Sequence, residues 1–471
     1  MSRRRLGLLL VLATALTGLS PAGAHAAGLR LGFFDGVFTG DDATRAPWLG
    51  RAVDSGADLL RLDVGWPVLN TPARPEGFDA RNPADRAYDF TRSDAAVVAA
   101  AGRGLAILAG FTGAPRWAEG PGRPAGASAG SWKPDPAALE DYGAALARRY
   151  SGTFPDPARP GQPLPRVEAF QVWNEPNLDK YLSPQWSAGR TFAPEHYRLM
   201  LSAFYRGVKS VSPSALVVTA GTAPFGDPGA GGHRIMPARF VREMLCLRRS
   251  GKRLRATTCP APARFDVLAH HPYSVGAPTR AAFNSDDVSI PDMGKLTRLL
   301  RAAERTGGAL PHTRHRLWAT EVSYDSSPPD PQGVPAALHA RYLEQAFYLL
   351  WRQGVDTITW FQIHDQLPVP SFAATLQSGV YFADGRPKPA QQAFRLPLVA
   401  ERAGHQTVRV WGRSPVAGSV RIERRAATGW ALVRTVRARA HGTFELRIAT
   451  RRKVSLRARV NGETSVTWPA T

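Results

Sequence analysis

Between residues 29 and about 395 the chain alternates eight short apolar runs with helix-patterned segments, and that alternation leaves few folds open. The apolar runs are 29–35, 57–65, 104–111, 166–174, 215–221, 265–273, 315–324 and 355–364. Most are nearly continuous in Leu, Val, Ile, Ala and Phe, as strands buried on both faces must be. The helical patterns between them cover 43–55, 93–103, 136–150, 194–211, 237–249, 292–306, 336–353 and 387–395. Pro136 follows Asp135 and Pro194 precedes Glu195, two helix starts with proline in the first turn. Strand–helix repetition of this kind predicts an α/β fold, a (β/α)8 TIM barrel of parallel strands. Long Gly/Pro-rich loops at 70–89, 112–134 and 222–236 follow the second, third and fifth strands. In a barrel those loops sit on the face where the chemistry is kept.

After Leu396 the helical periodicity stops. Short alternating runs follow at 407–411, 419–424, 431–436, 442–448, 453–460 and 465–468, separated by turn residues such as Thr428-Gly429 and Asn461-Gly462. They predict a small all-β sandwich. The N-terminus reads as an export signal: Arg3-Arg4-Arg5, an apolar run over 6–19, then Ala24-His25-Ala26. That run is short of the ~20 residues a membrane span needs. The expected division is a signal peptide 1–26 cleaved near Ala26, a catalytic barrel 27–400 and an accessory sandwich 401–471. The expected location is extracellular, as a monomer with no membrane attachment. Two cysteines exclude a disulfide-dense scaffold and a cysteine zinc cluster. Export permits a Cys246–Cys259 bridge; two buried thiols are the alternative.

The chain carries 60 Lys+Arg against 38 Asp+Glu, a net charge of +22. Such a balance suggests a nucleic acid or an anionic surface. Only seven of the 60 cations are lysine, however, and Ala, Gly and Pro are also abundant, a pattern expected from codon bias in a GC-rich genome. Residues 405–471 hold 14 cations and three acids (Glu423, Glu445 and Glu463), read as arginines alternating on the outer face of the sandwich. No nucleic-acid-binding motif is present, and no nucleic-acid partner is expected.

The residues that carry chemistry stand at strand ends. Trp173-Asn174-Glu175-Pro176-Asn177 closes the fourth strand. A glutamate there can protonate a leaving oxygen, and Asn174 can hydrogen-bond a sugar hydroxyl; a capping glutamate before a loop is the plainer alternative. Glu321, in Ala319-Thr320-Glu321-Val322, closes the seventh strand across the barrel mouth. Two carboxyl groups facing each other across a pocket are what glycosidic cleavage requires. The histidines lack metal-ligand spacing and no Gly-rich phosphate loop follows a strand, so neither a metal nor a cofactor is expected.

With Arg61 on the second strand, Asn174-Glu175 on the fourth, His271 and Tyr273 on the sixth, Glu321 on the seventh and Trp360 on the eighth, the chain resembles the clan A glycoside hydrolases over residues 29–395. That group of retaining (β/α)8 enzymes includes family 5 cellulases and family 39 xylosidases. The resemblance implies that Glu175 is the general acid/base and Glu321 the nucleophile. It also implies that Arg61 and Tyr273 keep Glu321 ionised, that His271 joins the network and that Trp360 stacks on the sugar. An arginine stays protonated in proteins, which suits the first of those roles. Phe111-Thr112-Gly113 stands where many family 5 members carry a histidine, which favours a family 39-like or unclassified member. Trp66, Trp117, Trp132 and Trp186 are candidate subsite aromatics in the loops, and Asp63 and His364 candidate sugar contacts. The expected activity is retaining O-glycoside hydrolysis of a poly- or oligosaccharide. The alternative is a non-catalytic glycan-binding protein on the same barrel.

Overall fold

Eight parallel strands close into a barrel in the computed structural model, which describes residues 28–470. The strands are β1 (Arg30–Phe34), β2 (Leu59–Asp63), β3 (Ala106–Phe111), β4 (Ala169–Val172), β5 (Leu216–Thr219), β6 (Val267–His270), β7 (Arg316–Val322) and β8 (Val355–Phe361). Each pairs with its sequence neighbour, and β8 closes on β1 from Arg30 opposite Thr357 to Phe34 opposite Phe361. The helices α1 (Asp42–Asp54), α2 (Thr91–Ala101), α3 (Pro136–Arg149), α4 (Ala193–Val211), α5 (Pro237–Met244), α6 (Gly294–Thr306), α7 (Ala336–Arg352) and α8 (Pro389–Arg395) cover the strands outside. This is the (β/α)8 barrel expected from the alternation. The expected export signal lies outside the described residues. No described helix is long and apolar enough to cross a membrane.

Two segments depart from the sequence reading. The fifth helix stops at Met244, not Arg249. Residues 247–250 and 253–256 form an antiparallel hairpin instead. Cys246 takes a left-handed conformation that cannot continue a helix, and Gly251-Lys252, with Gly251 at positive φ, supplies the turn. Cys246 and Cys259 are joined as a disulfide that closes the hairpin base. The second departure is an extra strand, β9 (Leu398–Arg402), directly after α8. It straddles the boundary expected between residues 400 and 401.

β9, β10 (Thr407–Arg413) and β13 (Thr443–Ala449) form one antiparallel sheet. β11 (Gly418–Arg425), β12 (Trp430–Ala438) and β14 (Val454–Val460) form the other, extended by β15 (Glu463–Thr464) and β16 (Trp468–Ala470). The sandwich packs on the end of the barrel where the strands begin. The fully buried Arg413 donates to the Leu29 carbonyl at 3.0 Å and to Asp58 Oδ2 at 2.6 Å; both acceptors lie just before barrel strands. Trp411 packs against Tyr348 and Trp351 of α7, with ring centroids 5.5 and 5.6 Å apart. The opposite end of the barrel, where the strands finish, is left free for the long loops.

Candidate active site

The strand ends converge as the sequence order requires. Arg61 on β2, Asn174 and Glu175 after β4, His271 and Tyr273 after β6, and Glu321 on β7 form one connected network. Arg61 is 5% exposed, and Nη1 donates to Glu321 Oε2 at 3.1 Å and to the Thr320 carbonyl at 3.0 Å. Its Nη2 donates to Asn174 Oδ1 at 2.8 Å. Tyr273 Oη donates to Glu321 Oε1 at 2.7 Å. Each Glu321 oxygen therefore faces a donor, and both donors stabilise negative charge there.

Glu175 stands in different surroundings. Among the described residues its one side-chain hydrogen-bond partner is His271 Nδ1, 2.9 Å from Oε1. Burial pushes the carboxyl up to about 7, against the smaller opposing pull of Arg61 and Lys180. Burial also lowers His271 to about 3, so the ring is neutral near pH 7. Its Nε2 lies 3.3 Å from the Arg61 guanidinium, a pure donor, so Nε2 accepts and Nδ1 carries the proton. Glu175 Oε1 thus accepts from His271, and a proton held by the carboxyl belongs on Oε2.

The backbone that aims Glu175 is strained. Trp173 (φ 77°) and Glu175 (φ 37°) both take left-handed conformations around Asn174. Each costs about 1–3 kcal/mol and persists only where neighbours over-determine it. Here the buried Trp173 indole donates to the Tyr181 carbonyl at 2.8 Å, and the Glu175 N–H donates to the Gly221 carbonyl at 3.0 Å. Gly221 has a second role that the sequence did not signal. A Cβ on it would lie 2.0 Å from His271 Nε2. Gly221→Ala is expected to displace His271 and cost about 1–3 kcal/mol of overpacking strain, measured by chemical denaturation. A variant as stable as the parent would show that the histidine ring is not held in that contact.

A cavity of about 270 Å³ opens onto these groups. Arg61, Asp63, Asn174, Glu175 and Glu321, all candidates from the sequence, line it. Phe34, Thr112, Tyr181 and Phe361 line it too, and the sequence reading missed all four. Phe361 and Phe34 stack at 5.1 Å, and the Arg61 guanidinium lies 4.1 Å from the Phe34 ring centre.

Several expected sugar contacts lie elsewhere. Trp360 is fully buried; its indole donates to the Ser378 carbonyl at 2.8 Å, and Phe347 meets it edge-on. Strand alternation decides this: adjacent residues face opposite sides, and Phe361 takes the mouth. Trp66 is 9% exposed, stacks on Tyr142 at 4.8 Å and meets Trp117 edge-on at 6.1 Å. Trp117 also packs against Phe78 and Arg74. Both tryptophans form a loop core, not a sugar platform at the cavity. Trp132 donates to the Pro121 carbonyl, and Trp186 lies under Arg239. His364 stacks on Trp48, away from the cavity. His271 and Tyr273 stand behind the two carboxyl groups rather than on the cavity wall.

One donor atom each from Glu175, His271 and Glu321 lie within 4.8 Å of one another. That spacing would suit a cation, but the chemistry of the set opposes it. His271 Nδ1 holds its proton, and the Arg61 charge already sits on Glu321.

No protein-family profile and no curated protein sequence matches the chain. Solved structures do. A family 39 glycoside hydrolase from the gut symbiont Bacteroides cellulosilyticus WH2 superposes with a TM-score of 0.53 at 16% identity, covering 90% of this chain and 82% of that one. A glucosidase from Croceicoccus marinus superposes with a TM-score of 0.50 at 14% identity, covering 90% and 94%. At these identities the likeness establishes the shared fold.

Proposed function

We propose that the chain is a glycoside hydrolase that cleaves O-glycosidic bonds with retention of configuration, Glu175 acting as acid/base and Glu321 as nucleophile. The observation that carries the reading is the contrast between two carboxyl groups on one small cavity. Glu175 is held neutral up to about pH 7 by burial, while Glu321 accepts from Arg61 and Tyr273. A carboxyl kept neutral by burial beside one gripped by an arginine and a tyrosine is the arrangement of an acid and its partner. The spacing agrees. Donor atoms of the two groups within 4.8 Å suit a double displacement at about 5–5.5 Å. An inverting site needs roughly 6.5–9.5 Å to admit a water.

In the first step Glu321 attacks the anomeric carbon as the bond to the leaving oxygen breaks, and the Glu175 proton passes to that oxygen. In the second, Glu175 takes a proton from water. The water oxygen then bonds to the anomeric carbon, and Glu321 departs as carboxylate. Arg61 and Tyr273 hold the nucleophile in place, and Phe34 and Phe361 offer apolar surface to the sugar ring. Export of the mature chain, and an accessory role for the sandwich, belong to the same reading. The clan A and family 39-like resemblance and the fold of the structural neighbours support it.

A panel of aryl glycosides, followed by NMR of the first product, tests it: turnover with the original anomer is expected. Turnover of substrates with basic leaving groups should fall as pH rises through about 7, where Glu175 loses its proton. Substrates with strongly acidic leaving groups should show a weaker fall. Glycan binding without turnover anywhere on the panel would favour the non-catalytic alternative.

A further inference from the structure

A second cavity, of about 360 Å³, lies on the flank of the barrel between the disulfide-closed hairpin and the first half of α6. Its charged lining is entirely cationic: Arg249, Lys252 and Arg253 from the hairpin, Lys295 and Arg298 from the helix. Ala238, Leu254 and Leu299 supply an apolar floor. Two of the cations are engaged from behind, Arg249 by Asp286 at 2.6 Å and Lys295 by Asp292 at 3.0 Å. Among the described residues, Lys252, Arg253 and Arg298 form no ion pair, and all three are exposed. On the hairpin itself Arg248 stands directly opposite Arg255. Like charges directly opposed across strands destabilise a hairpin. Residues 247–258 contain five cations and no acid, so nothing local offsets that cost. The Cys246–Cys259 bond fixes the hairpin base.

We infer that this cavity binds the acidic groups of a polyanionic glycan, holding such a chain on the barrel flank outside the cleavage site. Guanidinium and ammonium groups converge there on a concave surface of the size that holds ligands, and planar guanidinium pairs with carboxylate or sulfate through two parallel hydrogen bonds. The cleavage cavity is built differently. Its one guanidinium, Arg61, is committed to Glu321 and Asn174, and Asp63 adds a further carboxyl. A uronate or sulfate therefore meets no unpaired cation among the residues lining the cleavage cavity and three on the flank. The description of the polyanion as a glycan rests on the glycosidase reading. Binding is measured without turnover, so failure of either claim is visible separately.

The test uses the full chain and measures binding of heparin oligosaccharides and oligogalacturonides across a salt series, with dextran and duplex DNA as comparisons. Lys252→Ser/Arg253→Ser/Arg298→Ser is set against Arg434→Ser/Arg437→Ser/Arg447→Ser, which removes equal charge from exposed sites on the sandwich. The flank variant is expected to bind at least one acidic glycan tenfold or more weaker. The slope of log affinity against log salt should shrink by about two to three. The sandwich variant should change little, and aryl-glycoside turnover should survive in both. Equal losses in the two variants would reduce the effect to net charge, and an unchanged flank variant would remove the site. Duplex DNA bound as tightly as the acidic glycans, through the same three residues, would make the partner a nucleic acid. Each of these three outcomes overturns the proposal.

Discussion

Glu175→Gln is expected to slow cleavage of unactivated glycosides by about 10²- to 10⁴-fold, the usual contribution of a positioned proton donor. Glutamine keeps the shape and can still accept from His271 Nδ1, but it has no proton to give. The loss should shrink for leaving groups acidic enough to depart unaided. Azide should restore turnover with the original anomer, because it needs no deprotonation. The same substitution should raise stability in one pH range only. The carboxyl is raised by burial to about 7 in the folded protein, from an ordinary 4.5. Its folded form therefore holds a proton that the unfolded chain has lost. The stability this group supports is complete below pH 4.5 and is lost as pH rises to about 7. Above that, an ionised buried carboxylate costs up to roughly 3 kcal/mol. The variant should be more stable than the parent at pH 8 and no more stable at pH 4, measured by denaturation at both. Equal stabilities at pH 8 would mean that the carboxyl is not held in a desolvated pocket.

The largest expected effect on folding lies at the other end of the barrel. Arg413→Ala should cost about 3–5 kcal/mol, because it strands a partner charge in a closed interface. Arg413 is fully buried and holds Asp58, which also accepts from the Leu31 N–H at 2.7 Å and pairs with His441. Burial pushes Asp58 up, but His441, Arg413 and the Leu31 N–H together outweigh it and hold the carboxyl below its ordinary 3.8. A depressed folded value contributes stability that is present above the unfolded value and is lost as pH falls through the folded one. The gap between parent and variant should therefore be full at neutral pH and narrow below about pH 4. Turnover of a small aryl glycoside per folded molecule should be unchanged, since the interface lies opposite the cavity. A variant that unfolds at the parent's denaturant concentration would mean that the sandwich does not brace the barrel through this residue.

The barrel was legible because its strands are buried on both faces and so read as unbroken apolar runs between helical patterns. That Glu175 and Glu321 share one cavity was legible because both glutamates close apolar runs, and the strand ends of a parallel barrel gather at one mouth. What the sequence hid has physical causes. At Trp360-Phe361 two large aromatics are adjacent, and strand alternation sends one outward against α7 and one to the mouth; composition favours the tryptophan, and the fold places the phenylalanine at the cavity. Trp66 and Trp117 are apolar residues in a long loop, and a long loop needs a core of its own. β9 follows α8 after only two residues, with no turn signal of glycine or asparagine to announce it. The close approach of Gly221 to His271 joins residues fifty positions apart and is visible only once β5 and β6 lie side by side.

The most direct test of the two-carboxylate account is covalent labelling. The purified protein is incubated with an activated 2-deoxy-2-fluoro glycoside of whichever sugar the aryl panel selects, digested, and mapped by mass spectrometry. One equivalent of adduct on Glu321, with loss of activity in step, is the expected result. An adduct on any other residue, or an enzyme that stays unlabelled while releasing product of inverted configuration, would contradict the assignment of Glu321 as nucleophile and of Glu175 as its acid/base partner.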